Sequence, residues 1–158
     1  MTIPSLPAIS ADGLTTPGRD DAAIVRDGVR MRAQSRHEAT VVTISGDVDA
    51  VTSDRVQGFA TRVVPGGNGL ILDLSGVEFF SARGISVLTA VDDACRSAEV
   101  QWVLVSSPIV SRLLRLTGYD TAMPTASSVP TALRQLAALS QARRRLALTI
   151  TTARGHAV

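Results

Sequence analysis

The sequence predicts an α/β domain in which a mixed β-sheet of four to five strands is packed with about four helices. Residues 70–74 form a nearly continuous apolar run of strand length, which is typical of a strand covered on both faces. Apolar residues at helical spacing follow it, and two β-branched or alternating segments precede it, so helices and strands alternate along the chain. The 158 residues are enough for one such domain with tails.

The N-terminal part predicts an extension followed by a hairpin. Residues 1–27 contain scattered proline and glycine without a sustained period, so we expect a flexible extension, with a short turn possible at residues 22–25. Residues 29–33 alternate apolar and polar side chains, and residues 40–45 are β-branched, which indicates two paired strands. The domain is therefore expected at residues 28–148, with a C-terminal tail at residues 149–158.

The middle of the chain predicts a helix on each side of the apolar strand. The first helix places Val56, Phe59 and Val63 on one face, and Thr52 or Ser53 is a candidate cap for its first turn. The glycine-rich segment at residues 65–69 ends it. The second helix is expected at about residues 84–96, after a loop that includes residues 79–83.

The last third predicts a strand, a helix, a short edge strand and a final helix. Residues 100–106 are mostly apolar; Pro108 suits the first turn of the next helix, and Gly118 its left-handed end. A short edge strand is expected within residues 121–127. Pro130 opens the final helix, which runs toward the arginines at residues 143–145, and these suit a helix C-terminus.

Composition excludes several classes of function. The formal charge is only +2, and the arginine run has no neighbouring aromatic residues, so we expect no direct nucleic-acid binding. The single cysteine, Cys95, excludes an internal disulfide and is expected to be packed. No run approaches the ~20 apolar residues of a membrane span, and no signal peptide is evident, so we expect a cytoplasmic protein. We find no catalytic set, metal-ligand spacing or cofactor motif, and so expect a non-enzyme without catalytic residues, metal or cofactor.

Three segments together resemble the STAS domain family, the fold of the bacterial anti-sigma factor antagonists. Residues 45–49 (S-G-D-V-D) stand where the family has Gly-x-x-Asp at the end of an early strand. Residues 72–77 (L-D-L-S-G-V) are similar to its central strand and exit. Residues 79–85 (F-F-S-A-R-G-I) fall on its Phe-x-Asp-Ser-Ser/Ala-Gly-Leu loop. The resemblance implies a STAS-like fold and a role in sigma factor regulation, as in stress responses.

The resemblance also implies a binding partner and the absence of the family's phosphorylation switch. In this family the loop serine accepts a phosphate from an anti-sigma factor that is also a serine kinase, and the phosphorylated antagonist lets go of it. Aligned through Phe79 and Gly84, the acceptor position is Ala82, which has no oxygen to phosphorylate, and the preceding Asp position is Ser81. We therefore expect a protein that binds a kinase-type anti-sigma factor without the usual phosphorylation switch.

The expected partner surface combines the beginning of the first helix with the turn before the second. Its candidate residues are Asp49, Thr52, Ser53, Ser81, Ala82, Arg83, Gly84 and Ile85. Ser81 is either an N-cap for the second helix or an alternative phosphoacceptor, and Asp49 either an interface acid or a helix cap. Arg83 is either a partner contact or a solvated side chain.

Two other functions remain open at this point. The chain could be a scaffold subunit of a stress-signalling complex that assembles with other STAS domains, and a homodimer is possible. It could also be a small-ligand or nucleotide sensor that uses a shallow pocket near the same turn.

Overall fold

A computed structural model describes residues 22–36, 39–64 and 68–155. Within these ranges the chain forms six strands and four helices, so the mixed α/β class is confirmed, with one or two more strands than predicted. The strands are β1 Ala22–Arg26, β2 Val29–Arg36, β3 Ala39–Val48, β4 Gly69–Phe80, β5 Trp102–Ser106 and β6 Thr125–Ala126. The helices are α1 Ser53–Val63, α2 Gly84–Ser97, α3 Pro108–Thr117 and α4 Val129–Gly155.

The strands form one sheet in the order β1-β2-β3-β4-β5-β6. β1, β2 and β3 are joined by antiparallel pairing, which confirms the predicted β2–β3 hairpin. β3, β4, β5 and β6 are mutually parallel. The C-terminal ends of β3, β4 and β5 therefore meet at one edge of the sheet, here called the carboxyl edge, and their N-terminal ends meet at the opposite amino edge.

β1 lies inside the segment predicted to be a flexible extension. It pairs with β2 through a two-residue turn at Asp27 and Gly28, whose φ angles of 51° and 81° are both left-handed. Asp-Gly is the residue pair that a type I′ hairpin turn prefers, because that turn needs a positive φ at both positions. The expected turn at residues 22–25 is thus wrong, because these residues belong to strand β1. Residues 1–21 lie outside the described part of the chain.

β4 is longer than the predicted strand and includes Phe79 and Phe80, which were assigned to the loop. Pairing with β3 continues to Val48 opposite Phe80, after two shifts of register. Gly46 stands beside the second shift with a φ of +94°, so the bulge uses a conformation that side chains resist. This bulged continuation carries both strands to the carboxyl edge together.

Two apolar layers cover the sheet. Helices α1, α2 and α3 pack on one face in the larger cluster, which includes Leu72, Leu74, Leu88 and Leu104. α4 covers the other face through Ala132 and Leu136. Cys95 is buried in the first layer, as predicted, and burial raises the pKa of its thiol to about 12. β4 is therefore covered on both faces, as its apolar run predicted.

The sequence predicted both ends of α3 but not the end of α4. Pro108 opens α3, and Gly118 ends it with a left-handed φ of 75°, both as predicted. α4, however, runs to Gly155, so the arginines at residues 143–145 lie within it and the expected tail is helical up to that residue. Among the described residues, no helix has both the length and the apolar content needed to cross a membrane.

Candidate interaction site

The ends of β3 and β4 bring the two predicted halves of the site together. Val48 is opposite Phe80, and the N–H of Ser81 donates to the carbonyl of Val48 at 2.9 Å. Asp49 follows Val48 and Ala82 follows Ser81, so the two motifs leave the carboxyl edge side by side. One protein partner can therefore reach both.

Asp49 organises the turn into α1. Its Oδ1 accepts hydrogen bonds from the N–H groups of Val51 and Thr52, each at 2.8 Å. These bonds favour the carboxylate, and the bond from Thr52 is the main reason that the pKa of Asp49 is lowered. Asp49 thus holds the turn ahead of α1, whose N-cap position is Thr52, so the helix-cap alternative is wrong; the Asp49 side chain is half-buried.

Thr52 and Ser53 were predicted on the partner surface, but their side chains are buried. Both are 1% exposed, so their side chains are not part of the surface. Thr52 Oγ1 accepts from the N–H of Asp49 at 2.9 Å and lies 3.0 Å from the carbonyl of Asp47, while Ser53 Oγ donates to the carbonyl of Ala50 at 3.3 Å. Neither is a conventional side-chain cap; they position the backbone that presents Asp49.

The Asp49 bonds predict a pH-dependent contribution to stability. A carboxyl with a lowered pKa in the folded state stabilises the fold above its ordinary pKa of 3.8 and loses that effect as the pH falls through the lowered value. We expect Asp49→Asn to reduce the free energy of unfolding at about pH 7, and the difference from the natural protein to shrink below pH 3.8. Urea unfolding across this range measures it. A difference that stays constant with pH would contradict the role of the charge.

The turn between β4 and α2 is closed by backbone bonds rather than by a side-chain cap. Gly84 N donates to the carbonyl of Ser81 at 2.8 Å, and Ile85 N to that of Ala82 at 3.2 Å. The N-cap position is Arg83, without a side-chain bond to the helix. Ser81 Oγ is buried and has no hydrogen-bond partner within the described ranges, so its predicted capping role is wrong. As a phosphoacceptor it would be inaccessible unless the turn opened.

Position 84 requires glycine because its backbone lies close to the ring of Phe80. A Cβ on Gly84 would lie 2.5 to 2.7 Å from three ring carbons of Phe80. That ring is only 7% exposed, so it is confined by the core and has little room to move. The glycine is therefore part of how the turn is built, and its own surface is buried.

The exposed part of the site is here called the interaction face. It comprises Ala50, Val51, Phe79, Ala82, Arg83 and Ser86. Val51 is 70% exposed and Phe79 49%, and both are large apolar residues. Neither residue was among the predicted site residues. For Phe79 a signal existed, because neighbouring residues of a strand face opposite sides and only one of two adjacent phenylalanines can enter the same core; for Val51 we find none.

The interaction face combines apolar side chains with the charge of Arg83. In the described ranges no group of three or more His, Cys, Asp or Glu side chains could hold a metal ion. Three cavities, of about 420, 570 and 310 Å³, are lined by residues outside the interaction face. A mixed apolar and charged surface is the composition found at protein interfaces.

Comparison with known proteins identifies the fold family. The sequence pattern of the STAS domain matches residues 30–132, which is most of the chain. The chain belongs to the STAS domain family. This STAS protein is 41% identical over 154 residues to "Osmosensory protein A" of Mycobacterium tuberculosis (strain ATCC 25618 / H37Rv), covering 93% of this chain and 94% of that one. It is 24% identical over 127 residues to "Anti-sigma-F factor antagonist RsfA" of the same organism, covering 78% and 94%.

Solved structures agree with the family. An anti-sigma factor antagonist from Mycobacterium paratuberculosis matches with a TM-score of 0.62 and 25% identity, over 71% of this chain and 97% of its own. SpoIIAA in its unphosphorylated form matches in fold, with a TM-score of 0.57 and 13% identity over 68% and 96%. The resemblance stated from the sequence is therefore confirmed, and the chain is a STAS protein like the anti-sigma factor antagonists.

Proposed function

We propose that this STAS protein is a cytoplasmic regulator that binds an anti-sigma factor of the serine kinase type through the interaction face. It performs no chemistry of its own. Alanine at position 82 removes the phosphorylation switch of the family, so binding is controlled by another input. The names of RsfA and of the M. paratuberculosis structure support the class of partner.

The observation that carries this proposal is the 2.9 Å bond from Ser81 N to the Val48 carbonyl. It fixes the end of β4 against the end of β3, so the Asp49 turn and the Ala82 turn form one surface. The backbone bonds to Asp49 and the close packing of Gly84 on Phe80 hold both turns in place before any partner arrives. A preformed surface loses little conformational entropy on binding.

The composition of the face indicates how it would bind. Val51 and Phe79 offer apolar side chains that a partner can cover, and burial of such surface contributes about 25 cal/mol per Å². Asp49 and Arg83 offer charges that select a complementary partner. In this proposal Thr52, Ser53 and Gly84 act through the turn geometry, and Ile85 is a partly buried neighbour.

The test is binding of purified kinase-type anti-sigma factors from the same cell to the full chain and to Ala82→Glu. Ala82 is exposed, so the new carboxylate leaves the fold intact but places a charge inside the interface. We expect Kd to rise by at least about tenfold, because an unpaired charge must lose water there. The control is Ala98→Glu, at the exposed C-terminal end of α2, which should bind normally.

Two results would contradict the proposal. Failure of every such anti-sigma factor to bind the natural chain would exclude the partner class. Equal weakening by Ala98→Glu and Ala82→Glu would place the contact elsewhere. Light scattering of the same samples tests the scaffold alternative, whose mark is self-association without an anti-sigma partner.

A further inference from the structure

The second half of α4 is an exposed helical arm. Residues 141–152, here called the arm, are all solvent-exposed, whereas Ala132 and Leu136 anchor the first half of the helix to the sheet. At the base of the arm, Arg143 Nη1 donates a hydrogen bond to the carbonyl of Glu99 at 3.3 Å. A helix that leaves its domain in this way keeps a surface that nothing within the described residues covers.

The arm lies away from the interaction face and outside the family pattern. Glu99 stands shortly before β5, at the amino edge, whereas the interaction face is at the carboxyl edge. The STAS match ends at residue 132, and the M. paratuberculosis structure is covered to 97% by only 71% of this chain. The match with "Osmosensory protein A" covers 93% of the chain and so must extend well beyond residue 132. The arm therefore lies outside the family pattern, and part of it is shared with "Osmosensory protein A".

One side of the arm and its base is a narrow apolar stripe. Leu139, Leu146 and Ile150 are 44%, 64% and 56% exposed, and their spacing of seven and four residues places them on one side of the helix. Ala142 lies between them on the same side. A narrow stripe of this kind matches the seam of two packed helices, whereas membrane-surface helices present a broader face with aromatic residues. Leu148, 68% exposed, lies on the opposite side of the arm, which also disfavours a flat surface as the partner.

The charged residues beside the apolar stripe indicate a partner of opposite charge. Relative to Leu146, Arg143 lies roughly 60° to one side and Arg145 roughly 100° to the other, from 3.6 residues per turn. Residues 121–158 contain five arginines and no Asp or Glu. A second copy of the arm would place arginine against arginine, which opposes pairing, whereas acidic side chains beside an apolar seam would pair with them.

We propose that the arm is a docking site for an acidic amphipathic helix of another protein. Leu139, Leu146 and Ile150 pack against the apolar side of that helix, and Arg143 and Arg145 pair with its flanking carboxylates. The site is separate from the interaction face, so the chain can hold two proteins at opposite edges of its sheet.

The test uses two labelled synthetic helical peptides with the same leucine seam, one flanked by glutamate and one by lysine. Fluorescence anisotropy with the full-length protein at low salt should give a Kd at least about tenfold lower for the acidic peptide, with the preference decreasing as salt is added. Leu146→Ser with Ile150→Ser should abolish this binding; both residues are exposed, so the fold is retained. Arg143→Glu with Arg145→Glu should reverse the preference in favour of the lysine peptide.

The control for both arm variants is their binding of the anti-sigma factor at the interaction face, which should not change. Failure of the peptides to bind the arm is therefore distinguishable from failure of the proposed function. Equal binding of both peptides, or no binding, overturns the proposal. Self-association of the natural chain that Leu146→Ser with Ile150→Ser removes would show that a second copy covers the stripe. Binding to phosphatidylglycerol vesicles that those substitutions remove, without peptide binding, would show a membrane surface instead. Either result overturns the proposal.

Discussion

Replacement of Gly46 by alanine is expected to destabilise the domain strongly. Its φ of +94° is accessible to glycine but costly for alanine, and an added Cβ would overlap the carbonyl oxygen of Gly28. That oxygen accepts from the N–H of Asp47 at 3.2 Å, so neither strand can move aside without losing a bond. Strain and overlap together should cost about 3 kcal/mol or more, a large part of the 5–15 kcal/mol that stabilises a typical domain.

Urea unfolding followed by circular dichroism measures this loss, and Gly58→Ala is the matched control. Gly58 lies in α1, and an added Cβ there would meet nothing within 4 Å. Because alanine favours a helix over glycine, this variant should gain about 1 kcal/mol in its free energy of unfolding. A Gly46→Ala protein as stable as the natural chain would contradict this prediction. It would mean that the bulge between β3 and β4 can adjust to a side chain at no cost, and therefore that it does not hold the two turns of the site rigidly.

The sequence predicted the parts of the fold that depend on local patterns. The apolar run of β4, the hairpin of β2 and β3, Pro108 at the start of α3 and Gly118 at its end each follow from a rule that acts over a few residues. β1 was not predicted: Asp27 and Gly28 carry its hairpin signal, but the strand is short and begins with two alanines, which are depleted in strands. The extension of β4 to Phe80 depends on a bulge in its partner strand, which no pattern in β4 itself reveals.

The site was predicted as a location but not in its details. The resemblance placed Asp49 and Ala82 on one surface, and the adjacent ends of β3 and β4 account for this. Which way each side chain points depends on tertiary packing: Thr52 turns inward to the Asp47 carbonyl, while Val51 beside it is exposed. Residue type alone suggests the reverse, since threonine is the polar one. The hydrogen-bond needs of the turn decided the outcome.

Replacement of Ala82 by serine is expected to give the chain a phosphorylation switch. Ala82 is exposed, so the new hydroxyl would face the partner, whereas the Ser81 hydroxyl is buried one residue earlier. Incubation of the variant with its kinase-type anti-sigma partner, Mg²⁺ and ATP should yield one phosphate at residue 82, detected by mass spectrometry. The natural chain should remain unmodified at this turn. Because this prediction depends on the proposed partner, the experiment also tests whether that partner is a serine kinase.

The phosphate should also break the complex. It adds about two negative charges in one step within the interaction face, and these charges would have to be desolvated in the interface. We expect Kd for the modified variant to rise by about a hundredfold, whereas Ala82→Ser without ATP should bind like the natural chain. Ser81→Ala combined with Ala82→Ser separates the two hydroxyls: labelling should persist. Loss of labelling in this double variant would show that the phosphate had entered Ser81, and the turn would then have to open far enough to expose an oxygen that the folded chain buries.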